Sequence, residues 1–317
     1  MNAEQMKKRV AETLPKVDVV IAYGQGFDAV HSEPCFVTKP EQAESLILNP
    51  LCEYNLASYL PANKKRKVGV VVKGCDSRTI VQFLQEGLIN RENVVIIGVP
   101  CTGVVSAKKL SRALNYRQAE EVRFEGDGVT IKTAEGEKKL ALADLCPDKC
   151  LTCQYPTPLV YDVLLAEPIE SKENPDAVYD DVRALEGKSL EERRAYWEKE
   201  IGRCTRCYAC RNACPLCVCQ DSCIAETRDP HWVTQRASMS EKMMFHLIHA
   251  IHLAGRCTEC GECERACPMD IPLGKLKKKI NMDMRELFDY VPGVRPEDKP
   301  PLYTFKVEEE KIEEHEP

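Results

Sequence analysis

The sequence predicts two unlike halves. One is an α/β domain over residues 1–165; the other is a compact cysteine-rich domain over 201–285 that contains a helical insertion. Three observations carry this expectation. Short apolar runs alternate with helix-length segments in the first half, in the order of a βαβ unit. Cysteine is concentrated in the second half, where 11 of the 18 lie between Cys204 and Cys267. One cysteine spacing, followed each time by proline, also occurs twice.

Lys67-Val68-Gly69-Val70-Val71-Val72 is a continuous apolar run of strand length and opens into the loop Lys73-Gly74-Cys75-Asp76-Ser77-Arg78. A helix is predicted from Thr79 to Glu86, stopped by Gly87, and Val94-Val95-Ile96-Ile97 forms the next strand. That order implies a crossover and a parallel strand pair. The second strand runs out at Gly98-Val99-Pro100-Cys101-Thr102-Gly103, before a helix at Val104–Leu114. Both loops leave the carboxyl ends of strands, where open α/β sheets place their sites. Gly126-Asp127-Gly128 marks a hairpin. Residues 166–200 read as a connector and a polar helix, and 286–317 as an extended acidic tail that either stays solvated or orders against a partner.

The chain has 317 residues, 44% hydrophobic and 30% charged, with a formal net charge of -6. An acidic balance argues against a nucleic-acid partner. The N-terminus lacks the apolar stretch of a secretory signal, and no run reaches the roughly 18 apolar residues that span a bilayer. A cytoplasmic protein is expected, with docking to a membrane-bound complex left open. A disulfide framework does not suit such a chain, whereas soft thiolates two residues apart suit iron–sulfur or zinc chemistry.

The duplicated runs are Cys204-x2-Cys207-x2-Cys210-x3-Cys214-Pro215 and Cys257-x2-Cys260-x2-Cys263-x3-Cys267-Pro268. Each trio can turn around one face of a cubane, while the fourth cysteine of each run ligates the other cluster. Cys204, Cys207, Cys210 and Cys267 are therefore assigned to one [4Fe–4S] cluster, and Cys257, Cys260, Cys263 and Cys214 to a second. Structural zinc is the competing reading, weakened by eight matching positions. The C-terminal domain is thus expected to be a bacterial two-[4Fe–4S] ferredoxin-like domain. Its runs are separated by Ile224–Arg256, where Ser238 and Glu241 have capping-box spacing for a helix reaching Ala254.

Seven further cysteines bear on cofactors. Cys217, Cys219 and Cys223 predict an additional cluster, against buried thiols or zinc, with a fourth ligand from Cys35, Cys52 or Cys75. Cys101, Cys146, Cys150 and Cys153 form a possible quartet for another [4Fe–4S] cluster, against ordinary buried cysteines. His246, His249 and His252 recur at intervals of three in the spacer helix. Packing or hydrogen bonding is expected of them, since cysteine ligands abound nearby. Lys73 and Arg78 bracket a glycine-containing turn at a strand end, an arrangement that could take the phosphate of FAD or another anion, or form only a salt bridge.

The C-terminal runs resemble the bacterial two-cluster ferredoxins. The segments Val71-Val72-Lys73-Gly74-Cys75-Asp76 and Ile97-Gly98-Val99-Pro100-Cys101, with Cys150-Leu151-Thr152-Cys153, resemble the beta subunits of coenzyme F420-reducing hydrogenases and formate dehydrogenases. That resemblance extends over about residues 15–285 and implies an iron–sulfur flavoprotein within a multisubunit enzyme. It implies that Gly98, Pro100 and Cys101 lie near a cluster or flavin and that Cys150 and Cys153 ligate iron. The chain departs from that family's commonest layout: its ferredoxin runs follow the α/β domain, it has a long acidic tail, and it has no diagnostic F420-binding element.

The function expected is an electron-transfer subunit of an anaerobic oxidoreductase, with hydrogenase, formate dehydrogenase or heterodisulfide-reductase-like subunits as partners. The alternative is an FAD-containing oxidoreductase that couples one-electron clusters to a two-electron carrier. No nickel, molybdenum or tungsten site is recognisable, and no catalytic residue is assigned.

Overall fold

The computed structural model describes residues 3–171, 174–219, 223–225, 233–234 and 236–305. The acidic run Glu308–Glu314 and part of the spacer lie outside them. After helix α1 (Ala3–Thr13) come the antiparallel strands β1 (Val19–Gln25) and β2 (Ser32–Val37). Strand β3 (Val68–Val72), helix α2 (Gly74–Gln85) and strand β4 (Val94–Gly98) form the expected βαβ unit with parallel strands. The sheet order is β2-β1-β3-β4, completed by the short parallel strand β8 (Val163–Leu164). Strand β3 is buried at every position, as an unbroken Val/Gly run covered on both faces should be. Met6 and Val10 of α1 and Ile80 and Phe83 of α2 pack into the same core.

Between β4 and β8 the chain makes one excursion. Helix α3 (Ala107–Ala113) leads into a separate antiparallel meander, β5 (Ala119–Glu125), β6 (Gly128–Thr133) and β7 (Gly136–Ala141), around the predicted hairpin. Two single-turn helices, α4 (Leu142–Leu145) and α5 (Asp148–Leu151), then carry the chain back. The excursion starts and ends beside the same strand: Cys101 N donates to the Pro156 carbonyl at 2.8 Å, and Gly98 pairs with Leu164. Cysteines at its two ends are therefore neighbours despite some fifty intervening residues.

The segment Lys73–Arg78, expected to be a loop, is the start of α2 instead. The Asp76 carboxylate accepts the Lys73 backbone N–H at 3.0 Å, capping the helix from its N3 position. The same helix is unusually buried for its polarity, with Asp76, Ser77, Arg78, Thr79 and Gln82 all inside. The C-terminal half covers it. Thr79 meets Thr258 at 3.1 Å, Arg78 donates to the Pro292 carbonyl at 2.8 Å, and the Tyr290 hydroxyl donates to Gln85 at 3.1 Å.

The C-terminal half contains helices α6 (Asp180–Glu186), α7 (Leu190–Gly202), α8 (Ala209–Asn212), α9 (Met239–Ile251), α10 (Glu262–Ala266) and α11 (Leu273–Phe288). The spacer helix α9 starts where Ser238 caps it, accepting the Glu241 N–H. Glu241 does not return the bond; its carboxylate accepts from Thr234 N at 2.8 Å, so the predicted box is half made. Residues 289–304 run back over α2, held by Gln85 donating to the Arg295 and Asp298 carbonyls. Gly293 lies there with φ +67°, and a Cβ on it would overlap the Arg78 carbonyl oxygen. Replacing Gly293 with Ala adds a clash to a left-handed backbone costing about 1–2 kcal/mol. Limited proteolysis should then cut within 289–304 markedly faster than in the parent chain; equal rates would show that this strap is not held by α2.

Candidate functional site

The two cysteine runs fold into the same local shape. Each places its third and fifth residues in the left-handed region: Arg206 (φ +55°) and Tyr208 (+59°) in the first, Glu259 (+55°) and Gly261 (+75°) in the second. Each then enters a short helix, α8 or α10. Left-handed steps curl the chain so that the cysteines turn toward one centre, and three non-glycine residues accept that cost, which is of order 1–3 kcal/mol each. At Gly261 a side chain would also collide with the stem of Lys149.

The structure brings the fourth cysteine of each run to the other run's trio. Cys267 interacts electrostatically with Cys204 and Cys210, and Cys214 with Cys260 and Cys263. Buried thiols crowded in this way resist ionisation. Burial, reinforced by neighbouring thiolates, pushes Cys210 and Cys214 up to about 12. A thiolate set this costly needs cationic compensation, which iron supplies on binding. The protein supplies more of it in Lys277, 5% exposed on α11. Burial alone would lower its pKa. Cys263, Cys214 and Cys257 outweigh that and hold it above the usual range, with a hydrogen bond to Cys263.

A parallel arrangement occupies the carboxyl ends of β3 and β4. Cys101 lies among Cys150, Cys153 and Lys73. Cys146 neighbours Cys150, and Cys75, on the first turn of α2, neighbours Cys101. Burial raises the pKa of Cys101 to about 11. Lys149 joins this group to the ferredoxin-like runs: its ammonium donates to the Cys260 carbonyl and interacts with Cys75 and Cys150. Burial would depress its pKa, but these thiolates and Glu262 hold it raised. One cavity is lined both by Cys75, Cys101, Cys150 and Cys153 of the first half and by Cys214, Cys257, Cys260 and Cys263 of the second.

The basic pair expected near a phosphate has other partners. The Lys73 ammonium bonds to the Tyr23 hydroxyl, the Tyr54 carbonyl at 2.8 Å and Asp76 at 2.9 Å. Arg78 donates to Pro292, stacks on Tyr155 and faces Glu259. Gly74 abuts the Tyr155 carbonyl, while Gly98 packs against Leu164, Tyr161 and Pro158. Pro100 is buried behind Cys101. Lys73, Gly74 and Arg78 also line the cavity shared with the cysteines.

Cys217 interacts with Cys219 and Cys223, so the third trio is also gathered. The cysteines considered as its fourth partner are elsewhere. Cys35 lies on β2 and Cys52 in the sheet core, and Cys75 lines the cavity with Cys101. His246 and His249 are buried on α9, and burial pushes His246 down to about 4 and His249 lower still, so both are neutral. Both rings pack against Phe245, as the packing expectation has it, but neither the His246 ring nitrogens nor His249 Nε2 has a hydrogen-bond partner among the described residues. Among those residues, no three His, Cys, Asp or Glu groups converge tightly enough for a single metal ion.

A paired, crossed set of eight thiols with compensating cations defines an iron–sulfur electron-transfer protein of the ferredoxin-like type. Residues 200–271 match the 4Fe-4S dicluster domain family. The whole chain is similar, at moderate identity, to beta subunits of formate dehydrogenases. It is 25% identical to the F420-dependent formate dehydrogenase subunit beta of Methanocaldococcus jannaschii, covering 92% of this chain and 90% of that one. It is 26% identical to the F420-dependent formate dehydrogenase 1 subunit beta of Methanococcus maripaludis, covering 90% and 89%. A chain of the F420-reducing [NiFe] hydrogenase complex from Methanosarcina barkeri aligns with 62% of this chain and 80% of its own length, at 18% identity and a TM-score of 0.37. Among the described residues, no helix is long and apolar enough to cross a membrane.

Net charge and hydrogen bonds to sulfur set cluster potential. Replacing Lys277 with Met removes both a cation and a donor, so a redox titration followed by electron paramagnetic resonance should show one cluster potential falling. The expected fall is on the order of 60 mV, the one-electron equivalent of a tenfold change; unchanged potentials would remove Lys277 from this role.

Proposed function

We propose that the chain is the iron–sulfur electron-transfer subunit of a multisubunit anaerobic oxidoreductase, relaying electrons between a low-potential donor and a partner's redox site. The observation that carries this reading is the single cavity walled by thiols from both halves of the chain. An isolated structural metal would not require thiol sets from two domains to line a shared space. When bound, [4Fe–4S] clusters accept and release single electrons at potentials that the surrounding protein tunes.

In this reading Cys204, Cys207, Cys210 and Cys267 hold one cluster, and Cys257, Cys260, Cys263 and Cys214 the second. Cys101, Cys150 and Cys153 hold a third at the sheet's carboxyl edge. Cys146 is assigned as its fourth ligand, and Cys75 competes for that position from the cavity wall. Cys217, Cys219 and Cys223 belong to a fourth. Lys149 and Lys277 offset the negative charge that these thiolates place in the interior. Bonds such as Arg206 N–H to Cys204 Sγ at 3.3 Å and Gly103 N–H to Cys101 Sγ at 3.4 Å orient the ligands and favour the reduced state. The partner is a formate dehydrogenase- or hydrogenase-type catalytic subunit, supported by the nine-tenths coverage of the formate dehydrogenase beta subunits.

The test is iron, acid-labile sulfide and flavin measured on one anaerobically purified sample. About 16 irons with matching sulfide are expected, while about eight would limit the chain to its dicluster domain. Ser variants divide the N-terminal site. Cys101→Ser should remove about four irons, and whichever of Cys146→Ser and Cys75→Ser does the same identifies the fourth ligand. One flavin per chain, with turnover of a two-electron carrier by the isolated protein, would favour the FAD-containing alternative instead.

A further inference from the structure

We propose that the cluster at Cys217, Cys219 and Cys223 takes its fourth ligand from His249 Nε2, an imidazole on α9, rather than from a thiol of the N-terminal domain. The inference rests on reading those three thiols as a ligand set and adds the residue that completes it. A small cavity is lined by Cys217, Cys219 and Cys223 together with Phe245 and His249 of α9. Cys219 and Cys223 share a buried cluster with Phe245 and Ile248 of the same helix, so α9 is packed directly against the trio.

His249 is only 5% exposed, yet its Nε2 has no hydrogen-bond partner among the described residues. Leaving a buried polar nitrogen unpaired costs about 1–3 kcal/mol, and a coordinate bond to iron would satisfy it. The other two histidines of the helix differ in the relevant respect. His246 is equally buried and unpaired but does not wall this cavity, and its ring packs edge-on to Phe245. His252 walls the cavity but is exposed at the end of the helix.

The four donors line one cavity. No three metal-binding groups among the described residues converge as one ion requires, and the eight dicluster cysteines share that property. Three cysteines and one histidine would also suit a single zinc ion, and counts of iron and zinc separate the two occupants. Nε2 would give its lone pair to one iron without losing a proton. A neutral ligand in place of a thiolate leaves the cluster one negative charge lighter, so its potential lies above that of the same site with four thiolates.

The experiment uses the full chain, purified and reconstituted anaerobically, with iron, zinc and sulfide counted and pulsed electron paramagnetic resonance recorded on the reduced protein. A nitrogen coupling to one cluster is expected in the parent protein, changed in the manner of the nuclear substitution when histidine is ¹⁵N-labelled. H249A should lose that coupling and about four irons. H249C should regain the irons, lack the coupling and titrate at a lower potential, which keeps the test informative if H249A folds poorly. H246A and H252A should retain both iron and coupling. Absence of the coupling, its survival in H249C, or its loss in H252A would overturn the assignment. So would iron depletion in C217S but not in H249A, which would leave the trio with a different fourth ligand. Unchanged iron in C217S, or one zinc in place of four irons, would instead sink the reading of the trio as a cluster site.

Discussion

Burying a lysine beside sulfur is the constraint on which the rest of this structure depends. Removing an ammonium from water costs several kcal/mol unless an anion meets it, and the same holds for a thiolate. Lys277 and Lys149 meet that requirement with cysteines from different parts of the chain: Lys277 with Cys214, Cys257 and Cys263, and Lys149 with Cys75, Cys150 and Cys260. Each lysine therefore ties separate segments into one electrostatic unit. Lys149 matters most for architecture, because it comes from the meander's return path and closes on the second cysteine run. Gly261 has no side chain at the point where that lysine passes.

Helix α2 transmits the same constraint to the sheet. Its N-terminus follows β3 at the cavity, and its polar face is buried under the C-terminal half rather than in water. Buried polar groups must find partners, and most of these do: Asp76 with Lys73, Ser77 with Leu159, and Thr79 with Asn55 and Thr258. The consequence is that the domain holding one thiol set is registered against the domain holding the others. Electron transfer benefits from fixed separations between centres, and a hydrogen-bonded interface restricts sliding more than a purely apolar one would.

The ferredoxin-like half was legible because its chemistry is local. The first three cysteines of each run lie within seven residues, and the run's fourth follows four residues after the third, ahead of a proline. The βαβ unit was legible because apolar runs of strand length have few other uses in a chain of this composition. Lys73–Arg78 was misread because a glycine in a strand-end turn resembles a loop, whereas the Asp76 cap that makes it a helix is a single residue. The histidines of α9 were assigned to packing or hydrogen bonding, and two of them do pack against Phe245, but spacing by three says which face a residue shares and not what lies opposite.

The sequence by itself determined the dicluster domain and the parallel strand pair and offered the candidate quartet after β4, since each follows from short-range spacing and the stereochemistry of strands and cubanes. Tertiary structure alone decided the long-range placements. It put Cys75 beside Cys101, enclosed Lys277 among three thiols, gave Lys73 and Arg78 internal partners, and brought His249 and Cys217 to one cavity. These placements depend on which faces of distant elements pack together. That choice is made by the summed burial of many side chains and the pairing of the charges trapped between them, which no local spacing records.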